Sequence, residues 1–145
     1  MDKAHTVEVL RHLVELERDH MLGFDAAVHR LRDREARARI EDFRAEHEAA
    51  LGDLGDAMKA LMVPPPELAT LGGLHEEARV AAASLVGDEA VVSVIAEAER
   101  EAIDAYAAAV ADEAIGDSLR HKLENKLDSE RAHGAWLAQW LERHG

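Results

Sequence analysis

Two stretches of the chain carry the same pattern, "ELERDH" over residues 15–20 and "DSERAH" over residues 128–133. Each contains Glu-Arg-x-His, which sets Glu17 three residues before His20 and Glu130 three residues before His133. On a helix, residues i and i+3 share a face, so each pair presents an oxygen and a nitrogen donor side by side. There is no cysteine, which removes thiolate sites and thiol nucleophiles and leaves carboxylate and imidazole as the available ligands. That donor set suits Fe, Mn or Zn. With nine histidines and an excess of acidic residues, such pairs also arise by chance. Their number therefore decides little, and their position along the helices decides more.

The positions follow from apolar stripes with steps of three and four. The first long helix is expected over Lys3–Leu31, with Val7, Leu10, Val14, Met21, Phe24, Val28 and Leu31 on one face. Asp33 suits the N-cap of a second helix over Arg34–Met62, whose stripe holds Ile40, Phe43, Leu51 or Ala50, Leu54, Met58 and Leu61. "VPPPELATLGGL" breaks the pattern, with Pro66 suited to the first turn of a new helix. A weaker helix covers Leu74–Val86, starting before Gly72-Gly73 at the earliest. After Gly87, with Asp88 as cap, a further helix runs over Glu89–Asp112. Gly116-Asp117-Ser118 is a stop and a cap ahead of a last helix over Leu119–Arg143. No run alternates with the period of a strand. The expected fold is all-α, a single domain over residues 1–145 built as four long helices with a shorter one in the long middle connection.

Each long helix carries an ionisable residue on its apolar stripe near its midpoint. They are Glu17, His47, Glu99 and Glu130, the last with His133 one turn on. In a bundle of rods of similar length, midpoints meet at one level. Several buried carboxylates at one level repel each other and are costly to desolvate, and a divalent cation would resolve that repulsion. Arg44, one turn before His47, is the nearest alternative counter-charge.

Composition narrows the partners. The formal charge of −13 repels phosphate backbones, so nucleic acid is not an expected partner and cations are. No apolar run is long enough to span a bilayer, and the first ten residues lack the apolar centre of a signal peptide, so no membrane partner and a cytoplasmic location are expected. The histidines at 5, 12, 29, 75, 121 and 144 read as surface residues. Trp136 and Trp140 read as core or as a face for a homodimer.

The two halves also resemble one another. "ELERDHMLGFDAAV" lies over "EAEREAIDAYAAAV", which aligns Glu17 with Glu99 and Phe24 with Tyr106. On "LVELERDHMLGFDAA", on "AEAEREAIDAYAAAV" with its Glu seven residues before Tyr106, and on the broken helix in the crossover, the chain resembles the ferritin-like superfamily. Within it, the likeness is to an uncharacterised bacterial branch of small four-helix-bundle proteins. The resemblance implies Glu17 and Glu99 as single carboxylate ligands and Glu130 with His133 as the Glu-x-x-His of the last helix. It implies iron, with Mn or Zn as substitutes, and Fe(II) oxidation where two irons leave an open position. The second helix departs from the family pattern, since Arg44 stands three before His47. Glu46 from a shifted register, or His20 from the first helix, could fill the gap.

Each candidate also has a purely architectural reading. Glu17 and Glu99 could sit at a stripe edge with their heads in water, His47 could be a hydrogen-bonded core residue, and Glu130 with His133 an internal ion pair. The protein would then be a metal-free helical bundle with a structural, stress or interaction role.

Overall fold

The computed structural model describes residues 2–145. Among them are five helices and no strand: α1 (Lys3–Arg30), α2 (Arg34–Ala60), α3 (Leu71–Ser84), α4 (Asp88–Ala111) and α5 (Asp117–His144). The ends match local chemistry. Asp2 caps α1 by accepting from the His5 N–H, and Asp33 caps α2 by accepting from the Ala36 N–H at 2.9 Å. Three expected helix starts differ, one of them that of α5, which begins at Asp117 with Gly116 in the cap position and no side-chain cap. Pro66 does not open a helix; residues 63–70 run without helix, and the Pro66 carbonyl accepts from Arg18 Nε at 2.6 Å. The α3 helix begins at Leu71, where Thr70 Oγ1 accepts from the Gly72 N–H. Gly87 replaces Asp88 as the cap position of α4, with a φ of 152° that favours glycine. Asp88 instead accepts from the backbone N–H groups of Arg32 and Asp33 at 3.1 and 2.7 Å, tying the α1–α2 turn to the start of α4.

Side-chain pairs fix the directions of the rods. Between α1 and α2, Asp25 pairs with Arg44 and Glu17 with His47, so the two run antiparallel. Between α2 and α5, Glu35 pairs with Arg143, Glu46 with His133 and Asp53 with Lys126, again antiparallel. His5 of α1 meets Asp112 beyond the end of α4. It follows that α2 and α4 run the same way, and the long connection carrying α3 returns the chain from one end to the other. The α3 helix packs on α1 and α4.

The apolar interior falls into two clusters. One holds Phe24, Leu31, Ile40, Phe43, Val91, Ile95, Leu137 and Trp140. The other holds Leu10, Val14, Leu54, Met58, Ala102, Tyr106, Leu123 and Leu127. On every long helix the midpoint residues fall between the two, so a polar layer divides the core. Burying each large apolar side chain on either side contributes about 1.5–3 kcal/mol, which holds the layer in place.

The crossover is fastened to α1 at close range. Asp19 accepts from the Thr70 N–H and Oγ1–H, both at 2.6 Å. A Cβ on Gly73 would lie 2.9 Å from the Asp19 Cα, a backbone atom that has little room to move. Replacing Gly73 by Ala is expected to destabilise the fold by about 1–3 kcal/mol through this overpacking. Chemical denaturation of the purified variant reads the change directly, and an unaltered midpoint would contradict the close approach.

Candidate metal centre

Among the described residues seven polar or charged ones are buried, and six of them are Glu17, His20, His47, Glu99, Glu130 and His133. Glu17, His47, Glu99, Glu130 and His133 arrive from the middle of their helices, as the apolar stripes predict, and His20 is buried from a position off the α1 stripe. The structure brings five into one cluster and turns the sixth aside.

His47 stands at the centre of the cluster. Its Nδ1 lies 3.0 and 3.1 Å from the two oxygens of Glu17, and its Nε2 lies 2.6 Å from Glu99 Oε1. His133 is bracketed in the same way, with Nδ1 at 3.1 Å from Glu99 Oε2 and Nε2 at 2.5 Å from Glu46 Oε2. The result is an alternating row, Glu17–His47–Glu99–His133–Glu46, crossing the bundle from α1 through α2, α4 and α5 and back to α2. Aromatic faces hold both imidazoles in plane. Phe24 lies 4.7 Å from the His47 ring, and Phe43 stacks on His133 at 4.1 Å. Arg44 takes no part; it pairs at the surface with Asp25 and Glu48.

Glu130 completes the cluster without joining the row. Its Oε2 lies 3.2 Å from His47 Nε2 and 3.8 Å from His133 Nδ1. The single N–H on each of those nitrogens already points at Glu99, so Glu130 Oε2 is buried with no hydrogen-bond partner. The Tyr106 hydroxyl, buried among the same carboxylates, also lacks one.

The electrostatics follow from the packing. Burial alone would lower the His47 imidazole, but the charge of Glu17, the hydrogen bonds to Glu17 and Glu99 and the close Glu130 carboxyl outweigh it and hold it well above its ordinary value. His133 is raised in the same manner, chiefly by Glu99 against burial. For Glu99, burial acts upward, yet hydrogen bonds from His133 and His47 prevail and keep the carboxyl far below its usual range. Burial pushes the Glu130 carboxyl up to about 8, with the neighbouring Glu99 adding to the rise. Burial and the adjacent Glu17 push the Tyr106 phenol far above its usual range.

His47, Glu99, Glu130 and His133 each offer one ligand atom, and these four atoms lie within 4.8 Å of one another. Metal–nitrogen and metal–oxygen bonds of about 2.0–2.2 Å in a tetrahedron require ligand atoms roughly 3.3–3.6 Å apart. Glu130 Oε2 lies 3.2 Å from His47 Nε2 and 3.8 Å from His133 Nδ1, on either side of that spacing, while the two Glu99 oxygens approach one imidazole each, at 2.6 and 3.1 Å. Both imidazoles also carry a carboxylate on the nitrogen facing away from this centre, Glu17 behind His47 and Glu46 behind His133. That is how protein ligands to metals are commonly oriented.

His20 looks the other way. Its Nδ1 lies 2.8 Å from Glu76 Oε1 on α3, and its Nε2 has no partner. Burial acts to lower this imidazole, and the bond to Glu76 outweighs it. Glu76 has no place in the apolar stripes and no motif around it. Its only signal in the sequence is glycine: Gly23 on α1 lies under the Glu76 carboxylate, where a side chain would collide with it. His5, His12, His29, His75, His121 and His144 are exposed, as their positions off the stripes predict.

These features define a class: an all-α helical bundle whose core is crossed by a carboxylate–imidazole layer able to accept a cation. The chain belongs to the family described as a domain of unknown function (DUF2383), whose model matches residues 5–112, from α1 to just past the end of α4. Comparison with curated proteins and with solved structures finds no match. No helix is long and apolar enough to cross a membrane among the described residues.

The layer fixes how the ion-free protein responds to pH. Glu130 faces His47 on α2, Glu99 on α4 and His133 on its own helix. Because Glu130 is raised from 4.5 to about 8 and both imidazoles are raised, the folded chain holds more protons than the unfolded one through this window. Stability therefore falls as pH rises across it. Glu99, depressed, makes its contribution above its ordinary range and loses it only in strong acid. The Tm of chelator-treated protein is expected to decline from pH 5 to about pH 8.5. Glu130→Gln, permanently neutral, is expected to flatten that slope.

Proposed function

We propose that this chain is a ferritin-like single-domain bundle that binds a divalent metal ion, iron or a similar ion such as Mn or Zn, in its core. The observation that carries the reading is the convergence of four ligand atoms from α2, α4 and α5, one of them the partnerless Glu130 oxygen, at the level where the core turns polar. His47 through Nε2, His133 through Nδ1, Glu99 and Glu130 would hold the ion. Glu17 and Glu46 would orient the two imidazoles from behind. The ion would displace the protons that now separate these groups. The ferritin-like reading is supported by the parallel course of α2 and α4 and by the single long crossover between them, an arrangement such bundles share.

The donor set favours one ion over two. The α2 helix contributes His47 to the centre while its Glu46 lies behind His133, and His20 is occupied by Glu76. A bound iron would supply redox chemistry; Fe(II) oxidation by oxygen or peroxide would follow only where two irons leave an open position. This chain's own part is to keep that ion dry between two apolar clusters and to surround it with carboxylates that balance a rising positive charge.

A second reading has its own support. The row Glu17–His47–Glu99–His133–Glu46 closes through hydrogen bonds without an ion. Such a network would set the register of the rods in a metal-free interaction module.

Elemental analysis after aerobic purification and iron loading separates the two. The metal reading expects about one tightly held ion per chain, which Glu130→Ala loses. Metal well below that level in both proteins would favour the metal-free network. Glu17→Gln is expected to weaken binding by about 10–100-fold, as loss of an orienting carboxylate does, while keeping the stoichiometry. Competition with a chromogenic chelator measures that shift.

A further inference from the structure

A buried cation site needs a way in. Around the bundle, α2 and α5 form the seam with the sparsest contact. Above the polar layer that seam is closed by Phe43, which meets His133 and Trp136. Below it the residues are small or polar, and a cleft of about 230 Å³ opens between Ala49, Ala50, Asn125 and Ser129. A divalent ion with six waters fills roughly 180 Å³, at about 30 Å³ per water. The cleft is thus large enough to take a hydrated ion.

Both ends of the cleft carry a carboxylate. Glu46 stands at the lip and Glu130 lies in the floor. Glu130 is 3% exposed, and its Oε2 has no hydrogen-bond partner. The Glu46 side chain is 55% exposed while its Oε2 touches His133 Nε2. Glu17, which backs the other imidazole, is fully buried. The two orienting carboxylates therefore differ in one respect: Glu46 alone can exchange its imidazole for a hydrated ion without leaving solvent. Lys126, the cation at the mouth, is held by Asp53 at 2.8 Å and is neutralised there.

We infer that the α2/α5 cleft is the route by which divalent cations reach the core, and that Glu46 is a transient ligand which strips water from the ion and passes it to Glu130. This rests on the metal-binding reading above and adds a path and a carrier to it. Carboxylate oxygen at the lip and floor, with amide and hydroxyl oxygen between them, favours a hard or borderline divalent ion over a soft one.

The test uses Co²⁺ as a coloured probe on the full-length chain, with uptake followed by stopped-flow absorbance and release by excess chelator. Glu46→Gln is expected to slow uptake by about tenfold or more, the scale of lost electrostatic focusing, with the final stoichiometry kept. Ala49→Leu with Ser129→Leu, which fills the cleft with partly exposed side chains, is expected to slow uptake and release together and leave the equilibrium constant unchanged. Ala108→Leu, in the groove between α1 and α4, is expected to behave as wild type. Wild-type rates in the filled variant would overturn the path. Slower uptake in Ala108→Leu of the same size would overturn its location. A Glu46→Gln variant that only releases Co²⁺ faster would overturn the carrier role and leave Glu46 as an orienting group. If wild type binds no Co²⁺, the metal reading falls and takes this one with it; if wild type binds and the filled cleft changes nothing, only the path falls.

Discussion

Everything in this bundle is arranged around two imidazoles, each held between two carboxylates inside an apolar interior. Isolated charges at that depth would cost several kcal/mol each. Alternation removes most of that cost, because every nitrogen of His47 and His133 meets an oxygen and Glu99 is shared by both. The compensation is incomplete at two groups of the layer, the Glu130 oxygen and the Tyr106 hydroxyl.

The layer also shapes the packing. It splits the apolar interior into two clusters, so neither half of the bundle can slide along the other without carrying charge into hydrocarbon. Phe24 and Phe43 serve both purposes, filling the upper cluster and fixing the ring planes of His47 and His133. The rigidity that a coordination site needs thus comes from the same contacts that stabilise the fold.

The environment of the layer is uneven around the bundle. On the side of α1 it is sealed by α3, where Asp19 fastens Thr70 and Glu76 occupies His20. On the side of α2 and α5 the seam is spanned by polar pairs and a cleft. The short helix in the crossover therefore does more than return the chain. It closes one flank and draws one of the two Glu-x-x-His histidines away from the centre, which accounts for a site with a smaller ligand set than the repeated motif suggests.

The sequence by itself determined the helices and the height of their polar residues. Steps of three and four between apolar side chains are a local property, and so is a glutamate or histidine interrupting them at a helix midpoint. For that reason Glu17, His47, Glu99, Glu130 and His133 were legible as one layer, and the histidines outside the stripes as surface groups. Only the tertiary structure decided which atoms meet. His20 and His133 stand in the same motif, yet one faces Glu76 and the other Glu99, because the outcome depends on which neighbour each helix face is rotated toward. Glu46 lies off the apolar stripe and gains its role from reaching across to another helix. Glu76 belongs to a segment with weak periodicity whose docking depends on Gly23 and Gly73. Periodicity fixes which side of a rod faces inward; the partner it finds there is set by the rotation and spacing of the rods, which arise from packing the whole chain at once.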